Sequence, residues 1–425
     1  MSEETLQKAL RYRWLIFWIL AFGYIMVYFH RLCPAVVAED MRRDLTAGGG
    51  LLGLLGSAYF YPYALMQLPA GLLSDSWGPR KTITLFFCVA FVGSVILGMA
   101  PSVYVAILGR TLVGLGVAML FVPTLKVLAE WFRAKEFAMM TGILMAMGGI
   151  GSYSAATPLA YISSWIGWRQ SFVLVGIFTL VLGGLVWTLV RDRPADMGWP
   201  SPAANSGPAA ESIDIMQGVK MVLSLPRFWP LSSWFFFTCA IFFSFIGLWG
   251  GPFLMQLYDL DKAKAGHILS MAAVGMIVGS PILSFLSNNL FKARKPVLIL
   301  SSVFMFIITG TLYFFTEGIP IPLLYSICLG IGIFCGAIVT IGFTTNKELF
   351  PVSIAGTATG LVNFFPFLGG ALFQVILGTV LDSQGFTASG GFSPQGFRYS
   401  FLVLFFCGLA ALISSLFLKE TMKSV

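Results

Sequence analysis

Long apolar stretches alternate with short polar ones along the whole chain. A helix needs about 20 mostly apolar residues to cross a bilayer. Breaking the sequence at its charged and Pro/Gly-rich gaps gives runs at 14–38, 51–73, 82–101, 103–129, 138–161, 171–190, 228–256, 268–288, 296–315, 320–345, 352–381 and 399–418. The pattern predicts twelve transmembrane helices. The runs are continuous rather than alternating, which excludes the strands of a large β-barrel. The first, Trp14 to Ala38, is longer than the core of a secretion signal and lacks a cleavage site, so it is expected to persist as the first span.

Composition agrees with the pattern. The chain of 425 residues is 57% hydrophobic and 10% charged, with mean hydropathy +0.87, against about a quarter charged residues in an ordinary globular protein. Such a chain cannot cover itself with polar groups, so the lipid bilayer is its expected partner. The net charge of +8 does not imply nucleic acid, because the basic residues sit in short clusters between runs. With both termini on the cytoplasmic side, 18 of the 26 Lys and Arg fall on that side, among them Arg11, Arg13, Arg80, Lys81, Arg133, Lys135, Arg294 and Lys295. Only Arg42, Arg43, Arg169, Lys262, Lys264 and Arg398 fall outside. This asymmetry predicts cytoplasmic termini in a cell membrane, taken as a bacterial inner membrane. The six cysteines lie within apolar runs, form no CxxC pair and read as core fillers.

Between the sixth and seventh runs, Arg191 to Pro226 carries Pro194, Pro200, Pro202 and Pro208 among Ser, Asn and Gly. It reads as a cytoplasmic linker over 191–226, dividing the chain into six-helix bundles at 1–190 and 227–425. Punctuation recurs across the two bundles. Glu130-Trp-Phe132 is followed by Thr141-Gly142, and Glu348-Leu-Phe350 is followed at the same spacing by Thr359-Gly360. Equivalent marks at equivalent places are expected of an internally duplicated transporter.

Gly71-x-Leu73-x-Asp75-x-x-Gly78-x-Arg80-Lys81 follows the second run, and Gly109-Arg110-x-x-x-Gly114-x-Gly116 opens the fourth. The first resembles the loop 2–3 signature of the major facilitator superfamily, and the second resembles its helix 4 signature. The resemblance covers nearly the whole chain. It implies an all-α membrane fold of twelve helices in two six-helix pseudo-repeats, working by alternating access. Asp75, Arg80 and Lys81, with Glu130 and Glu348 at inner helix ends, are then candidate gating residues, Asp75 pairing with Arg80 or with a helix end of the other bundle. Gly71 and Gly78 would supply close approach and turn geometry. The second copy of the loop has Asn288 and Phe291 in place of the acid and the glycine, so its gate is expected to be weaker. Arg80 and Lys81 as topology-setting charges alone are the alternative.

Two cations lie deep within spans, Arg31 and Arg110, while none of the 18 acidic residues occupies the middle of a run. An intramembrane charge costs at least about 2.5–3.5 kcal/mol and marks function by default. At 1.5 Å per residue both arginines fall roughly 10 Å below the outer face, which predicts a shared water-filled vestibule. Tyr24, Tyr28 and Arg31 are spaced to share one helix face, with His30 one step round. Arg grips carboxylate or phosphate in a bidentate fork, so two cations without a carboxylate select an anion. The competing readings are Arg31 snorkelling to the interface, Arg110 tying helix 4 to helix 1, and the tyrosines as packing.

The segment Tyr24-x-x-x-Tyr28-Phe-His30-Arg31-x-x-x-Ala35 is similar to helix 1 of the anion:cation symporter branch, which also carries a helix 4 arginine, matched by Arg110. That resemblance implies uptake of a small organic anion, a monocarboxylate or sugar acid, with proton or sodium as coupling ion. The chain departs from the branch at His30 and Val117, where its proton-coupled members carry acids. It also lacks any arginine between Trp229 and Pro252, where organic-phosphate antiporters place one, which favours a carboxylate over a phosphate ester. His30, with an ordinary pKa of about 6.5, is the candidate for proton coupling. Trp249, Asn346 and Asn363 are candidates for the far wall of the site, and His267 reads as an exposed loop-edge residue. No nucleophile–base pair, nucleotide loop or metal cluster points to an enzyme or a cofactor, and a monomer is expected. The alternative function is drug or metabolite efflux by proton antiport. Cationic drugs would need a membrane carboxylate, and Ser152 follows Gly151 where the drug-antiporter signature has proline. A solute-sensing receptor on the same scaffold is the third reading.

Overall fold

The computed structural model describes residues 3–201, 215–351, 354–388 and 390–422, and these are helical throughout except for turns and one bridge between Phe386 and Phe392. Ten segments among them are long and apolar enough to cross a membrane. The first lies in α1 (Glu3–Leu32), which is followed, after a break at Cys33, by α2 (Pro34–Asp44). Pro34 has no N–H to donate and its ring crowds the preceding turn, so the carbonyl four residues earlier, that of His30, loses its intrahelical partner.

Residues 49–76 form three short helices, α3 (Gly49–Ser57), α4 (Phe60–Leu65) and α5 (Gln67–Ser76), rather than one long one. Then come α6 (Pro79–Gly98), α7 (Val103–Ala118) and α8 (Phe121–Trp131). The expected runs 138–161 and 171–190 are joined in α9 (Ala134–Leu189), interrupted at Gly167 with φ 78°, a conformation that an L side chain rarely adopts. The chain folds back there. Tyr12 Oη donates to the Leu189 carbonyl at 2.6 Å and Arg13 pairs with Glu136 at 2.8 Å, so both ends of α9 meet the start of α1. Its middle meets the far end of α2 instead, where Trp168 Nε1 donates to Asp44 at 2.8 Å.

Of the expected linker, residues 202–214, with Pro202 and Pro208, lie outside the described residues; a single turn at Pro194–Met197 and α10 (Ile215–Leu223) are seen. The C-terminal helices are α11 (Phe228–Ser244), α12 (Gly250–Leu257), α13 (Lys262–Phe285), α14 (Lys295–Phe314), α15 (Ile321–Ala337), α16 (Phe343–Leu349), α17 (Ala355–Ser383) and α18 (Pro394–Leu416). A π-helical turn at Phe245–Trp249 joins α11 to α12 and another at Ile338–Gly342 joins α15 to α16. Large apolar side chains such as Trp165, Met99, Tyr104 and Phe417 are exposed, as a lipid-facing surface requires.

N-terminal and C-terminal helices meet along two seams, α3 to α5 against α17 and α9 against α13. At the face that carries Asp40 the seams are shut. Lys262 pairs with Asp40, Gln256 Nε2 donates to Glu39 at 2.5 Å, and Arg42 donates to the Gly390 carbonyl at 2.8 Å. The Asp382 carboxylate on α17 accepts the backbone N–H groups of Gly49 and Gly50 at 2.6 and 2.7 Å, satisfying the orphan donors that begin α3. Glycine permits the seam itself: a Cβ on Gly53 would lie 2.4 Å from the Gln374 carbonyl oxygen, and one on Gly49 2.5 Å from that of Gly378. His267 belongs to this face as well. Expected as an exposed loop-edge residue, it is partly buried within the first turns of α13, and its ring contacts Thr157 at 3.4 Å and Tyr161 at 3.2 Å on α9.

The opposite face differs. Its ion pairs among the described residues stay on one side of the seam, as in Asp75 with Lys126 (2.6 Å), Arg13 with Glu136 and Arg294 with Glu348 (3.0 Å).

Candidate functional site

Arg31 is 4% exposed and lies where the two sets of helices converge. Its guanidinium carbon is 4.3 Å from the ring centre of Tyr28, 4.9 Å from Tyr63, 5.0 Å from Phe367 and 5.9 Å from Phe243. These rings come from α1, α4, α17 and α11, two from each side of the seam. The electron-rich ring faces attract the cation. The phenol oxygens of Tyr59 and Tyr63 also turn toward it. Among the described residues no carboxylate pairs with Arg31, and its Nε has no hydrogen-bond partner. A buried cation in this state keeps an uncompensated charge and an open donor, which an incoming anion can satisfy.

Arg110 behaves differently. It is fully buried, and Nη1 donates to the His30 carbonyl at 2.8 Å, with Cys33 Sγ at 3.7 Å. That carbonyl is the one Pro34 leaves orphaned, so Arg110 closes the break in the first span. Its guanidinium also lies 5.2 Å from the ring centre of Tyr59. The expected vestibule shared by both arginines is filled by the stacked rings of Tyr59 and Tyr63, whose centres are 5.5 Å apart. Tyr59 is pinned there by its hydroxyl, which donates to the Val27 carbonyl at 3.2 Å. Arg110 therefore does not open onto a space beside Arg31 among the described residues; the helix-to-helix tie describes it better.

The other candidates divide. Tyr28 joins the cage, and Tyr24 stands behind it, its ring 5.3 Å from that of Tyr28 and its hydroxyl 3.5 Å from Met145 Sδ. Gly148 allows this, because a Cβ there would fall 2.8 Å from the Tyr28 ring. The His30 ring points away from Arg31, with Nε2 3.4 Å from Thr179 Oγ1 and Nδ1 unpartnered. Asn363 crosses the seam beneath the cage: Nδ2 donates to Gln67 Oε1 at 2.8 Å, and Gln67 donates to the Tyr63 carbonyl at 3.1 Å. Trp249 sits toward the Asp40 face, its indole donating to the Gln374 carbonyl at 3.0 Å. Asn346 lies at the other end of its helix pair, bonded to Thr359 at 3.2 Å. Neither touches Arg31.

Among the gating candidates, Asp75 pairs with Lys126 of α8, not with Arg80 and not across the seam. Arg80 stacks on Trp187 at 4.5 Å, and Glu348 holds Arg294. Lys81 is exposed and joins no ion pair among the described residues, and Glu130 is exposed, its carbonyl accepting from Ser201. Gly78, at φ 88°, makes the tight turn expected of it, and a Cβ there would strike Asp192; Gly71 faces open space. Sequence reading missed Tyr63, Tyr59, Phe243, Phe367 and Gln67. The spacing of Tyr59, Tyr63 and Gln67 at four-residue intervals was the available signal for one polar helix face.

Residues 17–374 and 252–424 match the family model described as Major Facilitator Superfamily. The chain is 24% identical over 436 residues to a probable hexose phosphate transport protein of Chlamydia trachomatis serovar D, covering 97% of this chain and 92% of the relative. It is 23% identical to the hexuronate transporter of Escherichia coli K12 (88% and 89% covered) and to the probable sulfoacetate transporter SauU of Cupriavidus necator (89% and 90%). Among solved structures, it superposes on a bacterial homologue of the human lysosomal transporter Spinster, in an inward-facing and occupied conformation. The TM-score is 0.73 at 18% identity, with 95% of this chain and 96% of that one covered.

Proposed function

The chain belongs to the major facilitator superfamily, and from that premise we propose that it carries a small organic anion, a monocarboxylate or sugar acid, across the membrane by alternating access. The observation that carries this reading is the Arg31 guanidinium, held in four aromatic rings at the seam with no acid beside it among the described residues. An anion entering from either side would supply the missing charge, and moving the seam would change which side it came from. A relative named for hexuronate transport supports a sugar acid, and one named for sulfoacetate, a dianion, supports only the broader class of small organic anions.

Twelve crossings belong to this proposal: the ten long segments, with α9 counted as two arms folded at Gly167, and the interrupted helices α3 to α5 as one more. So do two six-helix units joined by a cytoplasmic linker, cytoplasmic termini in the bacterial inner membrane, and a monomer. With the Asp40 face outside, its cross-seam contacts describe a carrier closed to the exterior. The gating pairs Asp75–Lys126 and Arg294–Glu348 are then those of the cytoplasmic side in its parted state.

Charge bookkeeping selects among anions. Arg110 also lacks an acid partner among the described residues, with Nε and Nη2 unpartnered, but the stacked rings of Tyr59 and Tyr63 stand between it and Arg31, so the cage itself holds one cation. A monoanion neutralises it, whereas a phosphate ester in its dianionic form would leave one buried negative charge. The relative named for hexose phosphate keeps the phosphate ester as the second reading. Coupling is assigned to a proton, with His30 as its carrier, because no Asp or Glu among the described residues approaches Arg31. The imidazole faces Thr179, so its influence on Arg31 would pass through the His30 carbonyl and Arg110.

A thermal-shift panel of hexuronates, sulfoacetate, hexose phosphates and cationic amines tests the reading. A ligand at about a hundred times its Kd stabilises the folded state by roughly 2.7 kcal/mol. Monocarboxylates are expected to raise the unfolding midpoint most. Stabilisation by amines alone would end the anion assignment.

A further inference from the structure

The basic end of the loop after α5 remains unused by the transport site. Among the described residues Arg80 and Lys81 join no ion pair across the seam, yet Lys81 lines a groove on the outer surface of the helices and Arg80 stacks on Trp187 of its wall. Its volume is about 580 Å³ and it is lined by Trp77, Lys81, Thr84, Leu85, Cys88 and Trp187. It faces the lipid side: Trp77 is 50% exposed, Leu85 49% and Trp187 47%.

The groove is graded from charge to hydrocarbon. At its mouth stands Lys81, exposed and without an ion-pair partner among the described residues. Beside it Arg80 stacks on Trp187, and its Nε donates to the Trp187 carbonyl at 2.7 Å. That contact fixes the guanidinium, whose Nη groups join no ion pair among the described residues, while the Asp192 carboxylate accepts the Arg80 backbone N–H at 2.6 Å. One turn further, Thr84 Oγ1 has no hydrogen-bond partner. Beyond it Leu85 and Cys88 form an apolar floor; at 1.5 Å per residue, Lys81 to Cys88 spans about 10 Å. Tryptophans concentrate at the headgroup level of a bilayer, and paired basic residues at the cytoplasmic end of a groove between spans suit an anionic lipid headgroup.

We propose that this groove binds an anionic phospholipid of the cytoplasmic leaflet, its phosphate held by Lys81 and Arg80 and an acyl chain lying along Leu85 and Cys88. The leaflet assignment rests on the orientation proposed above; the binding chemistry does not. Bound there, the lipid would brace the turn at Gly78 against the arm of α9 that ends at Leu189, since Arg80 touches both.

Cys88 supplies the probe. It is the partly exposed cysteine of the six; the other five are buried. The full-length protein, purified in detergent, is alkylated with N-ethylmaleimide after addition of phosphatidylglycerol, phosphatidylcholine, glycerophosphoglycerol or inorganic phosphate. Phosphatidylglycerol is expected to slow modification of Cys88 at least threefold, and the other three to have little effect. Lys81→Ala should abolish the difference between the two lipids, and Lys81→Arg should keep it. Equal protection by phosphatidylcholine would show a groove without headgroup selection and overturn the proposal. Protection by inorganic phosphate or the free headgroup would show an anion site without a lipid and overturn it too. Because the lipid comparison is made first on the unaltered chain, it stands even where a substitution impairs folding. Failure of the substrate panel above would leave this result untouched.

Discussion

Arg110 donates through Nη1 to the carbonyl of His30, 2.8 Å away, at the point where Pro34 has removed that carbonyl's own helical partner. An intramembrane arginine that looks like a second substrate ligand thereby engages the backbone through Nη1, and the proposed site is built on Arg31.

Removing the tie should therefore cost stability before it costs affinity. Arg110→Gln would leave the buried carbonyl with only the weak Cys33 thiol donor at 3.4 Å, a loss of about 1–3 kcal/mol, seen as a lower unfolding midpoint with substrate affinity changed less than for Arg31 variants. Pro34→Ala returns an N–H to the same carbonyl. In the double variant the Arg110→Gln cost should shrink, and a double-mutant cycle on unfolding midpoints measures that coupling.

The bond between Asn363 and Gln67 crosses the seam directly below Tyr63. Asn363→Ala and Gln67→Ala should each slow transport, and their combination should do little further harm, because either change alone breaks the bridge. Initial uptake rates of the two single variants and the double one check this; strictly additive losses would separate the two residues.

At the Asp40 face the seam closes on glycine. A Cβ at Gly53 would lie 2.4 Å from the Gln374 carbonyl oxygen and 2.9 Å from the Val375 Cα, both backbone atoms. Gly53→Leu should hold this face open. In a background free of native cysteines, Tyr63→Cys should then react several-fold faster with an impermeant maleimide added from the exterior, while the unfolding transition stays cooperative.

His30 is the ionisable group assigned to coupling, although its ring is turned to Thr179. His30→Gln should remove the dependence of uptake on an imposed proton gradient while leaving equilibrium binding of the carboxylate within a few-fold. Unchanged gradient dependence would pass the coupling role to another group.

Much of this was legible in the sequence, for identifiable reasons. Arg31 and Arg110 announce themselves because charge within apolar runs is expensive. Gly78 announces itself because a loop of fixed spacing needs a positive φ. The fold-back at Gly167 was expected as a polar gap between two runs, yet residues 162–170 contain enough apolar positions to stay helical up to the turn. The cage was not legible. Aromatic residues make up 15% of the chain, and nothing local separates Phe243 and Phe367 from rings that face lipid. Their convergence depends on the rotation of α11 and α17 about their axes, which is set by glycine contacts such as Gly369 against the Phe236 carbonyl. Asp382 was missed for a similar reason. An acid at the end of a run reads as a boundary charge until its distant partners, the N–H groups of Gly49 and Gly50, are seen.

The central claim is that Arg31 alone supplies the charge that holds the substrate. Equilibrium binding of the best stabilising carboxylate to the unaltered protein and to Arg31→Ala tests it most directly. Truncating one partner of a buried charge pair costs about 2–5 kcal/mol, so the variant should bind at least about thirtyfold more weakly while unfolding at a similar or higher temperature, having lost an uncompensated buried charge. Binding within twofold of the unaltered protein would contradict the account.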